Sequence, residues 1–301
     1  MSSHASLRSG RRLMLLAAVC FVANVLLIRA LGRVGTDVWI ISALRFATGL
    51  AICVVLHRRT LDVRALATRP RLILRGLVGS AGTYGFYLTI VHLGAGRAVF
   101  LNSTYVILAA LLAVIVLGEP FRRPLALGAI AAVIGLGLLT GAIFGLVRVG
   151  LYDGIALAVA LASAWIIVAI RQLHREGIST ATIFAAQCVY GLLLCAPFLV
   201  FHSVLPGPGA GIGLACAGLC AGAGQLAMTA AYRHLAVAEG ALIQTLVPLG
   251  IAAGGVLFFG ESLGWTDLAG GLLIVAGSVL PMILTEPRPA AAPIANPSRA
   301  L

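Results

Sequence analysis

Ten apolar stretches of about 18–25 residues divide this sequence, near 13–31, 38–56, 72–93, 97–117, 124–146, 154–173, 180–201, 209–232, 237–259 and 265–284, and each is long enough to cross a hydrocarbon core of roughly 30 Å as a helix. A bilayer interior offers no water to backbone N–H and C=O groups. A spanning segment must therefore satisfy them internally, as a helix or within a closed barrel. Runs this continuously apolar lack the in–out alternation of barrel strands, so the expected fold is all-α. Composition removes the soluble alternative: with 61% hydrophobic and 10% charged residues among 301, a water-exposed fold would have little to place on its surface.

The ten stretches fall into two sets of five. At a shift of about 142 residues the halves align without a gap. His92-Leu93 falls on His234-Leu235, Gly118-Glu119 on Gly260-Glu261, Gly128 on Gly270, Gly135 on Gly277, Arg29 on Arg171 and Cys53 on Cys195. Because each half has an odd number of spans, the second must enter the membrane with the opposite orientation. Ten transmembrane helices as two inverted five-helix repeats, with a site near the midplane between them, is the architecture expected.

All 21 basic residues are arginine and the net charge is +12, a balance that could suggest nucleic acid. Its distribution points to topology. With the N-terminus in the cytoplasm, Arg8, Arg11, Arg12, Arg58, Arg59, Arg64, Arg69, Arg71, Arg75, Arg122, Arg123, Arg171, Arg175, Arg233, Arg288 and Arg299 fall inside, against Arg29, Arg33, Arg97 and Arg148 outside, which is the positive-inside pattern. The expected division is a cytoplasmic segment 1–12, a first repeat 13–146, an external linker 147–153, a second repeat 154–284 and a disordered cytoplasmic tail 285–301. The first apolar stretch is too long for a signal-peptide h-region and is read as a retained span. Cys20, Cys53, Cys188, Cys195, Cys216 and Cys220 all fall inside spans, where free thiols pack as small hydrophobes.

The segment from Gly96-Arg-Ala-Val-Phe-Leu to Val116-Leu-Gly-Glu119, repeated as Glu239-Gly-Ala-Leu-Ile-Gln to Phe258-Phe-Gly-Glu261, and Leu44-Arg45-Phe46 in the second span, resemble the EamA-type transporters of the drug/metabolite transporter superfamily. The resemblance covers nearly the whole chain, about 12–284. It implies a ten-helix transporter with a central cavity lined by the first, third and fourth helices of each repeat. It also implies a proline in the fourth helix, which the second half has as Pro248 and the first half replaces with Val106. A proline frees a carbonyl and permits a kink, so only the second half is expected to carry that hinge.

Reading the implied lining helices for polar and aromatic side chains gives Asn24, Thr83, Tyr84, Tyr87, Asn102, Ser103, Tyr105, Trp165, Gln225, Thr229, Gln244 and Thr245 as substrate-binding candidates. Asn102-Ser103 superposes on Gln244-Thr245, and the set offers neutral donors and acceptors with aromatic walls. The competing reading is interhelical glue, at about 0.6 kcal/mol for each hydrogen bond. Gating or coupling candidates are Arg45, Glu119, Glu239, Pro248 and Glu261. Arg45 lies deep in its span with no acidic residue at its depth, and its repeat mate is Gln187. Its helix lies outside the implied lining set, which favours a structural role over attraction of a substrate anion. Glu119 and Glu261 end their helices, where a carboxylate opposes the helix dipole, so they are expected either to cap the next helix or to gate. His92 and His234 are expected at the membrane interface.

The function expected is a secondary active transporter in the cell inner membrane, moving a small, amino-acid-like polar metabolite by alternating access, as an exporter. A drug or toxic-compound exporter and a metabolite importer of the same fold are alternatives. From other classes, an intramembrane enzyme would need a nucleophile or metal constellation that the spans lack, and a non-transporting scaffold would not need an open polar cavity. Expected partners are the bilayer, the substrate and protons as candidate coupling ion, with no nucleic acid and no cofactor. The expected state is a monomer or weak homodimer.

Overall fold

A computed structural model of the chain describes residues 2–32, 36–93, 95–120, 122–139, 141, 143, 150–201, 208–260, 262 and 264–284. The elements found there are helices: α1 (Ser2–Gly32), α2 (Val38–His57), α3 (Val63–Thr68), α4 (Pro70–Leu93), α5 (Ala95–Ser103), α6 (Tyr105–Leu117) and α7 (Arg123–Leu139) in the first half, then α8 (Leu151–Arg175), α9 (Thr180–Phe201), α10 (Pro208–Ala231), α11 (Val237–Gln244), α12 (Leu246–Phe259) and α13 (Trp265–Leu284). Among the described residues, seven segments are long and apolar enough to cross a membrane: α1, α2, α5–α6, α8, α9, α10 and α11–α12. Helices α7 and α13 are shorter apolar helices, and α4 runs for 24 residues.

The outer surface is apolar. Ile115 is 80% exposed and its repeat mate Leu257 is 77% exposed, a pattern that lipid tolerates and water does not. The chain is a multi-pass helical membrane protein.

Helix ends follow local chemistry. Asp37 accepts a hydrogen bond from the Trp39 N–H at 2.6 Å and starts α2, and Asp62 does the same for Ala65 at the start of α3. Helices α6 and α12 both stop at glycines in the left-handed region, Gly118 at φ 64° and Gly260 at φ 69°, a conformation that costs glycine little.

Two helices begin before the apolar spans expected from the sequence. Helix α1 starts at Ser2, well before residue 13, because the arginines preceding the apolar stretch are good helix formers that hydropathy overlooks. Helix α8 starts at Leu151, inside the expected linker 147–153, because Asp153 accepts the Gly150 N–H at 2.8 Å. The tail 285–301 lies outside the described residues.

Helices at equivalent places in the two halves pack antiparallel on each other. In α7 and α13, a Cβ on Gly135 would lie 2.6 Å from the Gly270 carbonyl oxygen, and one on Gly277 would lie 2.5 Å from the Gly128 oxygen. Since Gly128 and Gly270, and Gly135 and Gly277, are repeat mates, exchanging the halves turns one contact into the other. Helices α2 and α9 repeat the arrangement, with Gly49 against Cys188 and Gly191 against Phe46. Helix α1 packs along α10 as α4 packs along α8.

Candidate functional site

A cavity of about 230 Å³ opens between the halves. Its walls are single helix faces. Helix α4 contributes Gly79, Gly82, Thr83, Phe86 and Tyr87, α8 contributes Val159, Ser163, Ile166 and Ile167, and the α11–α12 segment contributes Gln244, Val247, Pro248 and Ile251, all at the three- and four-residue steps that keep side chains on one side of a helix. Phe21, Asn24 and Val25 come from α1, Val99, Asn102, Ser103 and Tyr105 from α5–α6, Arg45 from α2, Gln187 from α9, and Gln225 and Met228 from α10.

Most positions line the cavity in pairs. At the shift of about 142 residues, Phe21 matches Ser163, Asn24 matches Ile166, Val25 matches Ile167, Arg45 matches Gln187, Thr83 matches Gln225, Phe86 matches Met228, Asn102 matches Gln244 and Tyr105 matches Val247, with both members in the wall each time. The cavity is therefore lined by equivalent positions of both halves.

The polar contacts obey the same exchange. Arg45 donates through Nη1 to the Tyr87 hydroxyl at 2.7 Å and through Nη2 to Gln225 Oε1 at 3.4 Å. Gln187, its mate, donates through Nε2 to Thr83 Oγ1, the mate of Gln225, at 3.2 Å. Arg45 was expected to act structurally because its helix lay outside the lining set. The guanidinium nevertheless reaches the cavity, because its long stem carries the head group past the helix surface. Gln187 was missed as a lining residue, although its place opposite Arg45 in the repeat marked it. Ser163 was not among the expected lining residues; Trp165, which was, lies two residues on and roughly 200° around the helix.

Asn24, Thr83, Tyr87, Asn102, Ser103, Tyr105, Gln225 and Gln244 all line the cavity. Asn24 also donates to the Ala217 carbonyl at 2.8 Å, so it joins helices as well as facing the space. Gln244 donates to Met14 Sδ at 3.0 Å, and Asn102 Oδ1 is buried without a hydrogen-bond partner.

Four candidates stand elsewhere. Tyr84 stacks on Trp39 at 3.7 Å between ring centroids, and Trp39 stacks in turn on Phe198. Trp165 is half-buried off the lining face of α8. Thr229 lies one turn beyond Gln225 and turns its hydroxyl back to that residue's carbonyl at 2.7 Å. Thr245 faces α13 and pairs with Ser278 Oγ at 2.5 Å.

The fourth span of each half is broken beside the cavity. Thr104 separates α5 from α6, and Thr245 separates α11 from α12. Each threonine donates its hydroxyl to the carbonyl three residues back, Leu101 and Leu242, at 2.7 Å. Competition of a threonine hydroxyl for a helix carbonyl loosens the ladder, so the break does not need the proline. Pro248 lines the cavity in the second half, and the helix is interrupted in both halves, with a proline only in the second.

Beyond one end of the cavity the halves are joined by charge. Glu119 Oε2 accepts the Val237 N–H at 3.1 Å, and its other oxygen lies 3.5 Å from Arg171 Nε and 3.8 Å from Arg175, pairs that are Coulombic and lack hydrogen-bond geometry. Arg171 also donates to the carbonyls of Tyr232 and Arg233, and Arg175 to that of Leu117. Glu119 therefore caps α11 of the other half, whereas a cap on the next helix was expected. Glu239 accepts from Arg11 Nε at 2.7 Å, and His234 Nδ1 lies 2.9 Å from Ser6 Oγ in the α10–α11 turn. Burial, followed by the charges of Arg233 and Arg171, lowers the His234 pKa below its ordinary 6.5. His92 is exposed and stacks on Tyr152. Glu261 lies outside the described residues.

The family model described as EamA-like transporter family matches residues 8–141 and 151–283. A Saccharomyces cerevisiae protein described as a probable transport protein is 35% identical over 71 residues, 24% of this chain and 20% of its own length. A crystal structure superposes with a TM-score of 0.77 at 17% sequence identity, covering 92% of this chain and 97% of that one, which is a likeness of fold.

Proposed function

The chain belongs to the EamA-like transporter family, and from that premise we propose that it is a secondary active transporter moving a small, amino-acid-like metabolite out of the cell by alternating access. The observation that carries this reading is the set of paired lining positions. A cavity built from mates across two halves is what two rocking units need, since exchanging their conformations moves the opening from one side to the other. The antiparallel α7–α13 and α2–α9 contacts support ten spans arranged as inverted repeats. The arginine distribution supports cytoplasmic termini in the inner membrane, which puts the Glu119 cluster on the cytoplasmic side. We read that cluster as a lock that closes the cavity inward in this conformation.

A cavity of about 230 Å³ falls below the roughly 300–1,000 Å³ of sites for drug-sized ligands, which favours a small metabolite over a bulky toxic compound. Neither Glu119 nor Glu239 is in the wall, so coupling to protons would act through the lock and the Arg11–Glu239 pair.

The test is a metabolite-release screen. Cells expressing the wild type are compared with cells expressing an Asn102→Leu, Gln244→Leu double variant present in the membrane at equal level. At least one small polar solute is expected to accumulate outside only the wild-type cells; identical media would refute the assignment of the cavity.

A further inference from the structure

We infer that Arg45 anchors a carboxylate of the cargo, so that the transported class is organic acids of amino-acid size, with solutes lacking a carboxylate discriminated against. The inference rests on the transporter reading above and gives its cavity a charge.

Arg45 carries the formal charge of the wall, since the lining residues include neither aspartate nor glutamate. Ion pairs among the described residues such as Arg11–Glu239, Arg71–Glu176 and the two on Glu119 include no residue of the wall. A cation held at this depth requires anionic or carbonyl partners. Those of Arg45 are neutral: a phenol at 2.7 Å and an amide oxygen at 3.4 Å, the latter a long contact. A guanidinium has five N–H donors in a planar fork that matches the two oxygens of a carboxylate. Tyr87 accepts from Arg45 and keeps its own hydroxyl proton to give, so the pair presents several donors to one anion.

A second guanidinium stands behind Gln187, the wall residue that is the repeat mate of Arg45. Arg75 is fully buried, donates Nη1 to Gln187 Oε1 at 2.8 Å, and has Nε and Nη2 without hydrogen-bond partners. Because Arg75 takes the oxygen of Gln187, the amide nitrogen must face Gly79 and Thr83, both in the wall. Two guanidinium charges beside a low-dielectric space focus an attractive field on an anion. The unpartnered Asn102 Oδ1 supplies an acceptor, which an amino group on the same solute would satisfy.

Full-length protein in proteoliposomes tests this, with exchange read by mass spectrometry. One mixture contains the proteinogenic L-amino acids, and a second contains their carboxamides, which keep the side chain and amine but lose the negative charge. Wild type is expected to carry at least one acid and to prefer it to its amide by about ten- to hundredfold, the loss typical of a missing hydrogen bond to a charged group. Arg45→Gln should reduce acid flux by a similar factor, and Arg45→Lys, which keeps the charge without the fork, should recover part of it. Amides carried as fast as acids, or Arg45→Gln within about twofold of wild type, would overturn the anchor and leave the transporter reading standing. If Arg45→Gln does not fold, the acid–amide comparison on wild type decides. Flux of neither mixture through folded wild type would overturn the amino-acid cargo and the anchor together.

Discussion

Glu119 accepts the backbone N–H of Val237 at 3.1 Å, so a residue that ends a helix of the first half caps a helix of the second. At the C-terminus of its own α6 the carboxylate opposes the helix dipole, whereas at the N-terminus of α11 it is favoured. Arg171 and Arg175 add charge to the same junction. Glu119→Ala should cost about 1 kcal/mol of stability through the lost cap and loosen the lock. Labelling of a Met228→Cys reporter by an impermeant maleimide from the cytoplasmic face should rise. Glu119→Gln keeps an acceptor for Val237 and should fall between. A lower melting temperature with unchanged labelling would leave Glu119 a cap with no gating role.

Arg75 and Gln187 should be coupled in stability. Gln187 is the hydrogen-bond partner of a fully buried cation, so Gln187→Leu strands that charge at about 3 kcal/mol or more. Arg75→Leu strands only an amide oxygen, at about 1–3 kcal/mol. Adding Arg75→Leu to Gln187→Leu should therefore restore stability, which thermal melts in detergent would read. A double variant no more stable than Gln187→Leu would contradict the pairing.

The α7–α13 seam predicts a contrast among glycines. A methyl group on Gly135 or Gly277 meets backbone within 2.6 Å, and backbone cannot rotate away. Gly135→Ala and Gly277→Ala should each cost about 1–3 kcal/mol as overpacking. Gly154 and Gly211 have open space around a Cβ, so alanine there should be neutral or stabilising by up to about 1 kcal/mol. Equal melting temperatures for the two pairs would remove the close approach.

His234 gives a pH dependence with a definite sign. Its pKa is lowered in the folded protein by burial and then by Arg233 and Arg171, so the unfolded chain binds its proton more readily. Stability associated with this residue should be complete above about 6.5 and decline as pH falls through the lowered value. Melting temperature between pH 8 and pH 5 should fall more for wild type than for His234→Gln. Parallel curves would show that the imidazole is not the group responsible.

Most of the helix positions and eight of the expected lining residues were legible in the sequence, because apolar length and a gapless repeat are properties of single positions. Asn102 and Gln244 could be found as mates before any coordinates. What the sequence hid depends on rotation and reach. Tyr84 and Trp165 are polar aromatics in lining helices but lie off the lining face, and a span whose neighbours are unknown does not reveal its azimuth. Arg45 enters the cavity from a helix outside the implied set by the length of its side chain. The break at Thr104 was hidden because no proline marks it; a threonine hydroxyl bonded three residues back accompanies the break in each half.

Alternating access is tested most directly by tying the lock shut. In a background free of native cysteines, Glu119→Cys and Arg171→Cys are joined by a short, reducible bifunctional thiol reagent in proteoliposomes, and exchange of the solute found by the release screen is followed. Flux should stop when the cross-link is complete and return on reduction. Flux that continues unchanged through fully cross-linked protein would contradict the account.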